Sequence, residues 1–219
     1  PACNQERKIC IYLPVTIACD LVAIDLHQAS ICSEAETPGK SLLALGDSIT
    51  QGMIAEGPGS TLVARLARQW RCEVLNQGVG MHVFDVNSLD PDIPYMPDII
   101  TIAYGTNDWA QGETLPPLLE QAESYCQKVR QSWPQAQLII ITPLWRDNWQ
   151  TSRGTCDTQR EYCTALSQRL NNANLINTTI VDGWELIPHH DQYFPDGVHP
   201  NNDGFHHYSA NLIRRLSGI

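Results

Sequence analysis

From Ser41 onward the chain alternates short apolar runs with longer segments of helical period, and that alternation restricts it to a parallel sheet covered by helices on both faces. The runs Leu42 to Leu45, Glu73 to Leu75, Ile99 to Ala103, Leu138 to Ile141 and Thr179 to Val181 predict five strands. Runs with little polar alternation suit strands buried on both sides, as parallel strands are. Between them, Leu62, Val63, Leu66, Ala67 and Trp70 form one helical stripe, and Leu115, Leu118, Leu119, Ala122, Tyr125 and Val129 form another. A third helix is expected over Thr158 to Leu170. A last one carries Phe205, Tyr208, Leu212, Ile213 and Leu216, with Asn202 or Asp203 as its cap. The pattern reads as a three-layer α/β/α domain over residues 38–219.

Residues 1–37 read differently. Lys8 to Leu13 and Leu21 to His27 look like two extended segments around a Pro-containing turn, followed by a polar linker. This N-terminal β segment is too short for a core of its own, so it must pack on the main domain, on a partner, or as the end of an accessory β-sandwich. The eight cysteines include no Cys-x-x-Cys pair, which argues against a zinc site and for mostly free thiols. Adjacent histidines (His189 with His190, His206 with His207) diverge on a strand or helix and do not make a metal site. With 14 basic against 24 acidic residues the chain is a poor match for nucleic acid. No segment has the roughly 18 to 20 continuous apolar residues of a membrane span, and the N-terminus lacks a signal-peptide pattern. The expectation is a soluble chain, cytoplasmic or exported after processing, with the oligomeric state open.

In open parallel sheets ligands bind beyond the carboxyl ends of the strands. Gly46-Asp47-Ser48 follows the first predicted strand, Asn76-Gln77-Gly78-Val79-Gly80 the second, and Gly105-Thr106-Asn107-Asp108 the third; Asp196-Gly197-Val198-His199 comes after the fifth. A serine hydroxyl is a weak nucleophile at neutral pH and needs a base within hydrogen-bond reach, itself oriented by a third group. Ser48, His199 and Asp196 can fill those roles. An oxyanion needs fixed donors, for which Ser48 N–H, an N–H near Gly80 and the Asn107 amide are suited. After the fourth strand, Trp145 and Arg146, with Trp109 and Trp149, are candidates to line a substrate cleft.

Gly46-Asp47-Ser48, Gly105-Thr106-Asn107-Asp108 and Asp196-x-x-His199 together resemble three blocks of the SGNH (GDSL-type) hydrolases, in the same order and over roughly Gly39 to Ile219. The resemblance implies a flavodoxin-like sandwich and an acylhydrolase that needs neither metal nor other cofactor. It implies Ser48 as nucleophile, Asp196 and His199 as its partners, and Asn107 as oxyanion donor. In the second block the family's glycine falls on Met81, five residues after Asn76, whereas Gly80 lies at four; either backbone N–H is a suitable donor. The scarcity of Phe favours short acyl groups, such as acetyl on a carbohydrate, over long lipid chains. A lipase or lysophospholipase-type activity is the alternative, and a non-catalytic binding or scaffold domain is the alternative of another class.

Overall fold

The structure is a computed structural model that describes residues 9–25, 39–111, 114–148 and 158–217. Five parallel strands, β1 (Lys40–Gly46), β2 (Cys72–Gly78), β3 (Ile99–Ala103), β4 (Gln137–Ile141) and β5 (Thr178–Val181), lie in the order β2-β1-β3-β4-β5. Each predicted apolar run forms a strand. The helices are α1 (Ser48–Gln51), α2 (Leu62–Trp70), α3 (Thr106–Gln111), α4 (Leu115–Ser132), α5 (Gln159–Asn172) and α6 (Asn202–Arg215).

Side chains alternate across the sheet, and each face has its own core. Leu42, Ile99, Ile139 and Ile141 pack with Leu62 and Leu66 of α2 and with Phe205, Tyr208 and Leu212 of α6. Leu43, Leu45, Ile100, Ile102, Leu138 and Ile140 pack with Leu118, Ala122, Tyr125 and Val129 of α4 and with Leu166 and Leu170 of α5. Both faces of the central strands are therefore dry, which is why their sequences are nearly all apolar. At the amino end of β4 and β5, the Arg130 guanidinium donates to the carbonyls of Trp133, Pro134, Ala136 and Asn177 and fastens α4 to the sheet.

Two details differ from expectation. The cap of α6 is Asn201, whose side chain accepts from Gly204 N–H at 3.0 Å; Asn202 is the first helical residue, because its amide is taken up in a two-way pairing with Glu56. Residues 9–25 enter no strand. They run as a strap past the last turn of α2, where Arg68 donates to the Tyr12 hydroxyl at 2.8 Å, and past α1, and among the described residues they pair with no strand. Residues 1–8 and 26–37 of the predicted β segment lie outside the described residues.

The chain passes from β1 to β2 on one side and then to β3 on the other, so β1 and β3 flank the point where the winding reverses. A crevice opens at the carboxyl ends of such a pair.

Candidate active site

The turn after β1 is shaped by close approach. A side chain at Gly46 would meet Thr50 Oγ1 at 2.0 Å, and one at Gly78 would meet the backbone nitrogen of Gln51 at 2.2 Å, so the ends of β1 and β2 press directly on α1. Asp47 caps α1, its carboxylate accepting from Ile49 N–H at 2.9 Å, and Gly52 closes the helix in a left-handed conformation. Ser48, first residue of α1, is held between these two caps and is 7% exposed.

Ser48 Oγ lies 2.7 Å from His199 Nε2, and His199 Nδ1 lies 2.6 Å from Asp196 Oδ2. An ionised carboxylate only accepts hydrogen bonds, so Nδ1 carries the proton and Nε2 presents its lone pair to the Ser48 hydroxyl. The other oxygen of Asp196 accepts from the backbone N–H of His199 at 2.7 Å and of Val198 at 3.0 Å. Partial burial pushes the Asp196 carboxyl up, but the His199 backbone, the imidazole and Val198 outweigh it and hold the group below the usual carboxylate range. The segment is stitched in place by Gly197 N–H to Phe194 C=O at 2.8 Å, by Asp147 N–H to Gly197 C=O at 3.0 Å, and by the Asn201 cap of α6.

Asn107 sits in α3, just beyond β3. Its amide donates to His82 C=O at 2.9 Å, which fixes the side chain and leaves the second amide hydrogen for another acceptor. Asp108 accepts from Phe84 N–H at 3.0 Å, tying α3 to the loop after β2. Gly80 also comes to the site: a Cβ there would stand 3.9 Å from Ser48 Cβ. Its N–H donates to Gln51 Oε1 at 3.0 Å. The next residue, Met81, has φ of +66°, a left-handed conformation that glycine adopts most readily.

The structure thus brings together Ser48, His199, Asp196 and Gly80, and ties Asn107 to the same loop after β2 that carries Gly80. Trp145 is buried, stacked on His189 with centroids 5.6 Å apart and edge-on to Phe194. Arg146 is buried as well, its guanidinium 5.5 Å from the Trp109 ring, and its charge acts on Asp47. Trp149 lies outside the described residues. Among the described residues, no group of three or more His, Cys, Asp or Glu side chains is arranged to hold a metal ion. Cys10, Cys19, Cys72, Cys126 and Cys163 are free thiols; Cys3, Cys32 and Cys156 lie outside the described residues.

Asp47 gains a second character that its sequence position does not reveal. Burial first, then the like charge of Asp108, push its carboxyl up to about 7, against the opposing pull of Ile49 N–H and Arg146. Its place before a helix marks it as a cap, but nothing local signals that it is fully enclosed. The contacts of Gln51 were equally hidden, because its partners, Gly80 and Val15, lie far away in the chain.

Residues 44–206 match the model of the GDSL-like lipase/acylhydrolase family. Comparison with curated proteins gives no match. Among solved structures, a protein from Bacteroides ovatus designated a GDSL-like lipase superposes with a TM-score of 0.66 at 19% identity, over 84% of this chain and 54% of its own, so this chain spans about half its length. A family-two carbohydrate esterase from Clostridium thermocellum, solved in complex with cellohexaose, gives 0.65 at 17% identity over 89% of this chain and 69% of its own. A family 2 carbohydrate esterase from Corynascus thermopiles that carries a carbohydrate binding domain gives 0.64 at 16% identity, over 85% of this chain and 68% of its own. At these identities the superpositions speak for the α/β fold.

Proposed function

Since the chain belongs to the GDSL-like lipase/acylhydrolase family, a family of ester-acting hydrolases, we propose that it is a metal-independent serine esterase working through an acyl-enzyme. The observation that carries this reading is the unbroken chain from Ser48 Oγ through the His199 ring to Asp196, at 2.7 and 2.6 Å. Ser48 Oγ attacks the ester carbonyl while His199 Nε2 takes its proton. The tetrahedral oxyanion is held by Ser48 N–H, by the second hydrogen of the Asn107 amide, and by a donor from the turn after β2. Gly80 N–H is engaged by Gln51, so the turn's donor is assigned to Met81 N–H. As the intermediate collapses, the imidazolium protonates the leaving alkoxide, and water then deacylates Ser48 by the same route in reverse. Asp196 holds the ring in the required tautomer throughout.

For the substrate we favour short acyl groups, acetyl on a carbohydrate foremost. The resemblance of the fold to carbohydrate esterases supports this. The second reading, an acylhydrolase for longer chains, draws on the exposed apolar side chains of Val79 and Met81 on either side of Gly80.

The test is turnover of p-nitrophenyl esters from acetate to palmitate and of acetylated sugars, with Ser48→Ala alongside. Turnover that falls with acyl length and vanishes in Ser48→Ala is the expected result. Preference for the long chains selects the second reading. Equal activity of wild type and variant removes Ser48 as nucleophile, and a wild type inert on every ester leaves a binding or scaffold domain.

A further inference from the structure

The Gly80–Met81 turn is built against its own sequence. His82 N–H donates to Val79 C=O at 3.2 Å, closing a four-residue turn whose third residue, Met81, has φ of +66° while Gly80 stays out of the left-handed region. That is a type II arrangement, which wants glycine at the third position; the order Gly-Met suits the mirror arrangement, with glycine at the second. With Gly80 left as it is, turning over the peptide between Gly80 and Met81 converts this form into a type I turn, in which Met81 is no longer left-handed. The choice therefore decides which way Met81 N–H faces, and a conformation its sequence disfavours must be fixed by the surroundings.

Gln51 is placed to do this. Its Oε1 accepts from Gly80 N–H at 3.0 Å, and its Nε2 donates to Val15 C=O at 2.9 Å. One side chain, three residues after Ser48, thus spans from the turn to the N-terminal strap. The strap has independent anchors on the same surface. The Tyr12 ring is 3.3 Å from where a Cβ on Gly59 would stand, with the Arg68 guanidinium 5.8 Å above it, and Val15 Cγ2 is 3.7 Å from a Cβ position on Gly52. Asn76 reinforces the neighbouring junction, donating to Thr50 C=O at 3.1 Å and accepting from Gly78 N–H at 2.9 Å.

We propose that Gln51 is a positioning residue which, held by the N-terminal strap at Val15, locks the Gly80–Met81 turn in the form that aims Met81 N–H at the oxyanion. The strap is then part of the machinery, acting through one amide without touching substrate. This rests on the serine esterase reading.

Two variants of the whole chain test it. Gln51→Met removes both hydrogen bonds at nearly constant shape; Gln51→Glu keeps an oxygen for Gly80 N–H and sets a carboxylate against Val15 C=O. Rates on p-nitrophenyl acetate are taken per serine titrated with a fluorophosphonate, so that misfolded protein is not counted. Gln51→Met is expected to lower kcat about 10-fold, less than the loss of an entire oxyanion donor, with KM within about two-fold. Its affinity for a boronic acid, which forms a tetrahedral adduct, should fall in the same proportion. Gln51→Glu should fall in between and be cleaved faster by protease within residues 9–25. Wild-type kcat and boronate affinity in Gln51→Met, or an equal loss of substrate and boronate binding, overturns the proposal. If Ser48→Ala is inactive while Gln51→Met is at full strength, this inference alone falls; if Ser48→Ala matches wild type, the esterase reading falls and takes it along.

Discussion

The two halves of the Ser48–His199–Asp196 constellation are built in opposite ways. Ser48 and Asp47 are 7% and 2% exposed, at the start of a four-residue helix that, besides its own caps, is pressed upon by the ends of β1 and β2. The Asp196 and His199 side chains are 39% and 15% exposed, and Asp196 holds His199 through hydrogen bonds spanning only four residues. The first half is a product of tertiary packing, the second of local chain geometry anchored to the start of α6. A change in one should damage folding and chemistry together; a change in the other should damage chemistry alone.

The largest effects should not distinguish the halves. Ser48→Ala and His199→Ala are each expected to lower kcat by at least about 10³-fold on p-nitrophenyl acetate, since proton transfer and attack act as a unit. Circular dichroism should show both variants folded. Asp196→Asn is the first to separate them: kcat should fall by about 10²- to 10⁴-fold through loss of the correct imidazole tautomer, while the melting temperature moves by only about a degree or two. A large drop in melting temperature would show the loop to be more than locally determined.

On the packed side, Gly78→Ala puts a methyl group against the backbone of Gln51, which cannot swing away, and should cost about 2 to 4 kcal/mol of stability in urea unfolding. Asp47→Asn gives the smallest and most specific effect. The folded-state value of Asp47, about 7, lies above the ordinary 3.8, so its contribution to stability is complete below the unfolded value and is lost as pH rises from about 4 through 7. Asn retains the cap and has no charge to bury. Relative to wild type, the variant should therefore be more stable at pH 8 than at pH 5 by at least about 1 kcal/mol. Asp196, held below its usual range, has the opposite sign: its contribution is present above the ordinary value and is lost as pH falls through the lowered one. An Asp47→Asn difference that does not change with pH would mean that Asp47 is not buried as an acid at all.

The same division explains what could be read in advance. The strands were legible because burial on both faces leaves an unbroken apolar signature, as in Leu42 to Leu45. Asp196 and His199 were legible because the partners lie within one turn of chain. Contacts between distant segments leave no local trace: Asn202 looked like a helix cap until Glu56, 146 residues away, claimed its side chain, and nothing around Gln51 in the sequence points to Gly80 and Val15, which its amide joins. The N-terminal segment has strand-like composition, yet a strand also needs a partner's backbone, and residues 9–25 meet side chains instead.

The three strands that surround Ser48 end in step, with Gly46 level with both Gly78 and Ala103. Adding or deleting one residue in any of them would advance its loop by about 3.3 Å and turn every following side chain to the other face. Chain length is thus frozen in β1, β2 and β3, and insertions that diversify the substrate should collect in connections that do not pass through this level edge, such as those after β4 and β5.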